Sequence, residues 1–498
     1  MKKQNDGSLT LLPFHFRHLD RERVLLVNLS GEYTLLSEDD FSKLLKARAA
    51  EDLGDLYYHL KGRHIVADGD LDLSIDLLAT KMRSKRAYMR DFTALHMVVT
   101  TARCSCICDY CQASSSDPGA KNMDMTVEVA DKVVDVIFGS PSPGIKIEFQ
   151  GGEPTLNWPV IEFIVKKAIN VNRAAKKQLE FVICSNLLKA EEKWARFCRD
   201  NKVFFSTSLD GPKRFHDLHR KSRDGGSSYD RFVKNLQFYR KKTGRYACSA
   251  LLTITKSNIG NLREIIDHYM DMGFRSIFLR ALNPYGFAVT NRQNLGYSAS
   301  EFVAAYRDAL EYIIELNLKG TYFSELYAEF LLMRILTPFS TGFVDLQSPA
   351  GAGISGAVYD YNGEVYPADE GRMLARMGDR RFLMGNVLHN SHREIFGGPV
   401  LHEIVRESCV EMMPLCAGCV YQPYCGADPV RYYVECGDIR GRRPESEFCA
   451  KNMGILDYLF EKLIEDDEKV IDVFWSWIQR EGLRCTPDER DKGNTAGN

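Results

Sequence analysis

The sequence lacks the run of about eighteen apolar residues that a bilayer-spanning helix needs, which excludes a helical membrane protein. Its first residues, MKKQNDGSLT, are basic but lack the apolar stretch of a secretory signal, so a cytoplasmic location is expected. Net charge is nearly absent. The 65 Lys+Arg and 67 Asp+Glu leave −2, which argues against a broad electrostatic footprint for nucleic acid. Internal repeats and low-complexity segments are also missing. With 45% hydrophobic and 27% charged residues, the chain is neither disordered nor membrane-like. Its 498 residues suffice for two to four domains with a real core.

Cysteine is not scarce. Fourteen cysteines in a reducing compartment point to metal or redox chemistry where they cluster. Cys104, Cys106, Cys108 and Cys111 form one cluster; Cys409, Cys416, Cys419, Cys425, Cys436 and Cys449 form another. Cys184, Cys198, Cys248 and Cys485 are scattered and read as small buried hydrophobes or inert thiols.

Four regions follow from the patterning. Residues 1–90 read as a small α+β domain: RVLLVNLSGEYTLL suggests two strands with a turn at Ser30-Gly31, and Ser37 caps a helix with acids in its first turn. The domain serves either as a cover for its neighbour or as a peptide-recognition unit. Residues 91–335 alternate strand and helix six times, implying a parallel sheet flanked by helices, either an open barrel or a doubly wound sheet. Residues 336–455 are rich in Gly, Pro and Cys, and need a metal staple. Residues 456–498 read as a terminal helix and a polar, disordered tail.

The first cysteine cluster, TTARCSCICDYCQAS, follows the first strand of the βα series. Cys104, Cys108 and Cys111 have the spacing C-x3-C-x2-C. An iron–sulfur cube normally takes four thiolates, so three leave one iron open to an outside ligand. Cys106 is extra, with no assigned role. The segment resembles the signature of the radical S-adenosylmethionine (radical SAM) enzymes, and the aromatic Tyr110 fits it. The resemblance implies that S-adenosylmethionine chelates the open iron and is cleaved to a 5′-deoxyadenosyl radical. It also implies a partial (β/α)6 TIM-like barrel.

Functional groups gather at the C-terminal ends of such strands. The second strand ends in Gly151, Gly152, Glu153 and Pro154, a motif that in these enzymes holds the methionine amine. The third ends at Ser185-Asn186, suited to ribose hydroxyls. Ser208 and Arg220 resemble the ligands of the methionine carboxylate. Each motif alone is weak; their order after successive strands is what carries weight.

Cys416, Cys419, Cys425 and Cys449 supply four thiolates, enough for a complete cube or for structural zinc. They resemble the SPASM extension of radical SAM peptide-modifying enzymes, which implies an auxiliary [4Fe–4S] cluster. The places of the further cluster's ligands are taken by Ala350, Ala368 and Pro429, so one auxiliary cluster is expected, not two. Cys409 and Cys436 are not expected to bind metal. Asp369 stands where sulfatase-maturing relatives place a catalytic base, against the plainer reading of a solvated turn residue.

Longer phrases, among them IKIEFQGGEP, YPADEGRMLARMGD and CVYQPYCGADPV, resemble the His-Xaa-Ser system radical SAM maturases of HxsB type from about residue 11 to residue 460. That resemblance implies oxidative side-chain crosslinking of a ribosomally made precursor peptide, a companion radical SAM protein, and an external electron donor such as flavodoxin or ferredoxin. The alternatives are Cys or Ser oxidation in a sulfatase, RNA modification, and a non-catalytic metal scaffold. The lost ligands at Ala350 and Ala368, the neutral charge and the GGEP motif count against these in turn. Neither a nucleic-acid nor a membrane partner is expected.

Overall fold

A computed structural model describes residues 9–69, 71–244 and 248–480. The polar tail and Cys485 lie outside the described residues.

Six parallel strands form the heart of the molecule: β1 (Leu95–Thr101), β2 (Gly144–Gly151), β3 (Gln178–Ser185), β4 (Val203–Ser208), β5 (Cys248–Thr253) and β6 (Leu279–Arg280). They lie side by side in chain order, each parallel to the next. A helix returns the chain between most neighbours, as parallel strands require. In β2, Ile145, Ile147 and Phe149 are fully buried, in one core with Val133 and Ile137 of helix Val127–Phe138 and Ile161 and Ile164 of helix Trp158–Ala175. The alternate residues Glu148 and Gln150 face the opposite side, where a cavity opens. That period-2 alternation gives the sheet an apolar outer face and a polar inner one.

The local signals are physical. Thr126 caps helix Val127–Phe138, its side chain accepting from the Val129 amide at 3.2 Å. Pro159 opens the next helix in its first turn, where a missing N–H costs nothing. Ser37 accepts from the Asp40 amide at 3.0 Å and starts helix Glu38–Lys46.

The structure departs from the sequence reading in four places. The N-terminal sheet has a third strand, Phe14–His18, beside Arg23–Asn28. Val24 and Leu26 enter that region's own core, while Leu25 and Val27 join the main one. The sixth strand is interrupted at Phe278, leaving Ser276–Ile277 and Leu279–Arg280. The expected single C-terminal helix is two, Glu447–Glu465 and Glu468–Gln479, separated at Asp466 with φ 51°. Finally, the Cys-rich region contributes β7 (Gly356–Tyr359), β8 (Glu364–Tyr366) and β9 (Gly385–Asn386) to the same sheet. β7 runs parallel to β1, pairing Gly356 with Leu95 and Tyr359 with Val98. Among the described residues no helix is long and apolar enough to cross a membrane.

Candidate active site

A cavity of about 500 Å³ opens on the inner face of the sheet. Cys104, Cys108 and Cys111 line one part of it, with Tyr110, Gly151, Gly152, Ser185, Asn186, Ser208 and Arg220. Asp345, Asp369, Glu370, Arg280 and Lys451 line another. Of the sequence-predicted residues around the first cysteine cluster, only Glu153 does not line it.

The cysteine loop is held by its backbone. Cys106–Cys108 forms a short antiparallel ladder with Arg220–Ser222, setting Cys108 opposite Arg220 and Cys106 opposite Ser222. The Cys104 amide donates to the Ser116 carbonyl at 2.9 Å, and the Cys104 carbonyl accepts from Arg223 Nε at 3.0 Å. The glycines serve this loop. A Cβ on Gly151 would collide with the Thr101 carbonyl oxygen, and one on Gly152 with that of Arg103. The Gly152 and Glu153 amides donate to those same carbonyls at 2.9 and 2.7 Å. The close approach inferred from the sequence is therefore between the end of β2 and the cysteine loop.

Glu153 is buried, and its carboxylate accepts from Thr155 Oγ1, the Thr155 amide, Ser185 Oγ and the Asn186 amide at 2.6–3.2 Å. Burial raises its pKa against these hydrogen bonds. In this arrangement it ties the end of β2 to the end of β3 and orders Ser185-Asn186. Arg220 donates through Nε to Asp210 at 3.1 Å, Tyr110 donates to the same oxygen, and the guanidinium lies 5.3 Å over the Tyr110 ring. Burial opposes the Arg220 charge, but Asp210, Tyr110 and Cys108 hold it protonated. The contact with Cys106 and the Arg220 charge lower the Cys108 pKa, while burial raises it; the net shift is down. A thiol so biased is suited to ligate metal. Cys106 touches both Cys104 and Cys108, and its own pKa is driven up, so it stays a neutral thiol between them.

Asp369 begins helix Asp369–Arg376 and pairs with buried Arg372 at 2.8 Å. Beside it, burial and the charges of Asp345, Asp428 and Asp369 push Glu370 well above the usual carboxylate range. Lys451 lies over the rings of Tyr327 and Phe448 at 5.2 and 5.4 Å. Sequence reasoning missed Glu370, Asp345 and Lys451, which carry no motif. Cys184, read as a small buried hydrophobe or an inert thiol, keeps its proton, its pKa raised by burial and then by Glu148. Cys184 lines the cavity and bonds Glu148 at 3.1 Å; its place next to Ser185-Asn186 was the available signal. Cys198 and Cys248 are buried, as read.

The second cysteine set lies around the C-terminal helix. The Cys419 amide donates to the Cys416 carbonyl at 3.0 Å, and the Cys449 amide to Ser446 Oγ at 3.1 Å. Burial first, then the neighbouring Cys419, Cys449 and Cys416, push the Cys425 thiol up to about 12. Four half-buried thiols in one another's field resist ionisation until a cation compensates them, as a metal centre requires. Among the described residues no three ligating side chains converge at metal-holding distance. Ala350 is buried with Val410 and Ala427, Ala368 with Met373 and Tyr285, and Pro429 opens a helix. Cys409 and Cys436 donate to the carbonyls of Val405 and Tyr432, four residues back, at 3.4 and 3.2 Å.

Residues 98–269 match the model of the radical SAM superfamily. The cysteine-type anaerobic sulfatase-maturating enzyme of Clostridium perfringens is 22% identical over 377 residues, covering 72% of this chain and 94% of that protein. The radical SAM cyclopropyl synthase TigE of Paramaledivibacter caminithermalis is 24% identical over 303 residues, covering 57% and 62%. Native anSMEcpe with bound AdoMet superposes with TM-score 0.61 at 19% identity, over 76% of this chain and 100% of that one. Streptococcus suis SuiB bound to S-adenosylmethionine superposes at 0.52 and 14%, over 88% and 99%. The fold is the radical SAM α/β fold.

Proposed function

We propose that this chain is a maturase that oxidises side chains of a ribosomally made precursor peptide, joining them by a crosslink. The superfamily match and the shared fold support a radical SAM enzyme related to peptide and sulfatase maturases, using S-adenosylmethionine and [4Fe–4S] chemistry. When bound, that cofactor pair supplies a radical able to take hydrogen from an unactivated C–H bond, beyond the reach of ordinary side chains.

The observation that carries the reading is the single cavity that joins the Cys104/Cys108/Cys111 loop to the Asp369 and Glu370 helix terminus. Cys104, Cys108 and Cys111 would hold the first cluster, and Cys416, Cys419, Cys425 and Cys449 the auxiliary one of a SPASM-like extension. Gly151 and Gly152 present backbone to the cavity, Asn186 and Ser208 offer polar groups, and Arg220, held by Asp210 through Nε, would bind a carboxylate with its remaining N–H groups. Arg372 Nε donates to Asp369 Oδ1 at 2.8 Å and holds the carboxylate at the cavity, where it can accept a proton from an oxidised substrate residue. An auxiliary cluster is suited to accept the remaining electron.

The N-terminal sheet offers two edge strands, Phe14–His18 and Tyr33–Ser37. Helix Leu71–Lys85 exposes Leu73, Ile75 and Leu77. These features support docking of an extended peptide. The SuiB and anSMEcpe neighbours include structures with bound peptides. The phrases that resemble HxsB-type maturases favour a precursor with His-Xaa-Ser repeats, with a companion radical SAM protein and a flavodoxin- or ferredoxin-like donor. The setting is cytoplasmic.

A second reading, Cys or Ser oxidation in a sulfatase, is favoured by the coverage of the Clostridium perfringens relative. Anaerobic co-expression with small neighbouring reading frames, then peptide mass spectrometry, separates the two. The expected result is loss of two hydrogens with a linked pair of side chains. Conversion of one Cys or Ser to an aldehyde would favour sulfatase maturation instead.

A further inference from the structure

We propose that Arg443 is the hydrogen-bonding and charge partner of the auxiliary cluster, and that it raises that cluster's reduction potential. The proposal rests on the assignment of Cys416, Cys419, Cys425 and Cys449 to that cluster.

Arg443 is 3% exposed. Its Nε donates to the Arg440 carbonyl at 3.0 Å, and its guanidinium lies 4.9 Å over the Tyr432 ring. Both terminal nitrogens, Nη1 and Nη2, are buried and make no well-formed hydrogen bond to an oxygen or nitrogen among the described residues; the group within their reach is the Cys416 thiol. No carboxylate pairs with it there. A guanidinium so enclosed is an anomaly, because Arg is rarely buried without a counter-charge. Its charge reaches two of the four candidate ligands, Cys416 and Cys449. A cube held by four thiolates is anionic and presents sulfur lone pairs. It would provide both things the side chain lacks, negative charge and acceptors for the two Nη groups.

The geometry also defines the consequence. Hydrogen bonds to the sulfurs and local positive charge stabilise the more negative, reduced state of a cluster. Arg443 thereby makes the auxiliary site a better electron acceptor. It does not line the cavity, so it is a positioning and tuning residue.

The test uses the full-length chain with Cys104, Cys108 and Cys111 replaced by Ala, leaving only the auxiliary site to bind iron. After anaerobic reconstitution this parent should hold about four irons. Potentiometric titration followed by electron paramagnetic resonance then gives its midpoint. In Arg443→Gln the midpoint should fall by about 59 mV, a tenfold change in the reduced-to-oxidised ratio for one electron. Arg443→Lys should lie between the two. Loss of iron from Arg443→Gln but not from Arg443→Lys would also support the proposal. Iron retained with an unmoved midpoint would overturn it alone. Loss of iron from both variants would assign Arg443 to folding and overturn it. A parent chain without iron would overturn the auxiliary-cluster reading and this proposal together.

Discussion

Arg220 stands directly opposite Cys108 in the two-strand ladder that closes the cysteine loop. One backbone pairing therefore sets both a candidate iron ligand and a candidate carboxylate ligand. It also brings the Arg220 charge to the sulfur, whose pKa it helps to lower.

Removing that arginine should cost more than binding. In Arg220→Met, Asp210 remains fully buried without its cation, and breaking a buried pair typically costs about 3–5 kcal/mol. Thermal unfolding should show that loss, and equilibrium dialysis should show loss of S-adenosylmethionine binding. The double change Asp210→Asn with Arg220→Met should recover much of the stability but none of the binding. Recovery of binding would remove Arg220 from the cofactor site.

Gly152→Ala places a methyl group against the Arg103 carbonyl. Overpacking of this kind costs about 1–3 kcal/mol, and the atoms displaced belong to the cysteine loop. Reconstituted protein should fall from about eight irons to about four per chain. A full iron complement would show that the loop tolerates the shift.

Asp369→Asn should leave 5′-deoxyadenosine release in place and suppress modified peptide at least tenfold, because the proton acceptor is lost while the cysteine loop is untouched. Equal loss of both products would show that Asp369 supports the cofactor site instead.

Glu370 makes stability depend on pH. Its folded pKa is raised, by burial first and then by Asp345, Asp428 and Asp369, with Lys451, Arg280 and Arg431 facing Asp345 in the same cluster. A raised carboxyl pKa means the folded state binds the extra proton. The contribution is complete below the unfolded value of about 4.3 and is lost as pH rises through the folded one. Unfolding midpoints should fall with rising pH across that window, and Glu370→Gln should flatten the slope. An unchanged slope would place the titration on another group.

Much of this was legible from the chain alone. The six strands, their parallel direction and the motifs at their ends follow from alternation and turn residues, because parallel strands at the centre of a sheet must be apolar on the side their helices cover; their side-by-side order did not, since alternation fits an open barrel and a doubly wound sheet alike. What could not be read depends on distant pairing. Phe14–His18 is short and mixed, and its place is set by Arg23–Asn28. The motif at Glu153 was visible, but the four donors from Thr155, Ser185 and Asn186 that engage its carboxylate come from two strand ends and could not be read from one motif. Glu370 and Lys451 are far apart in the chain, and only the cavity brings them together.

The strand Gly356–Tyr359 has a consequence for ancestry and engineering alike. The chain leaves the sheet at one margin and re-enters at the other, beside Leu95–Val98. The Cys-rich extension is thus no detachable cassette. A truncation near residue 336 would strip β1 of its neighbour and leave an unsatisfied, aggregation-prone edge. Chimeras with related maturases should hold together only when β1 and β7 are inherited from the same parent.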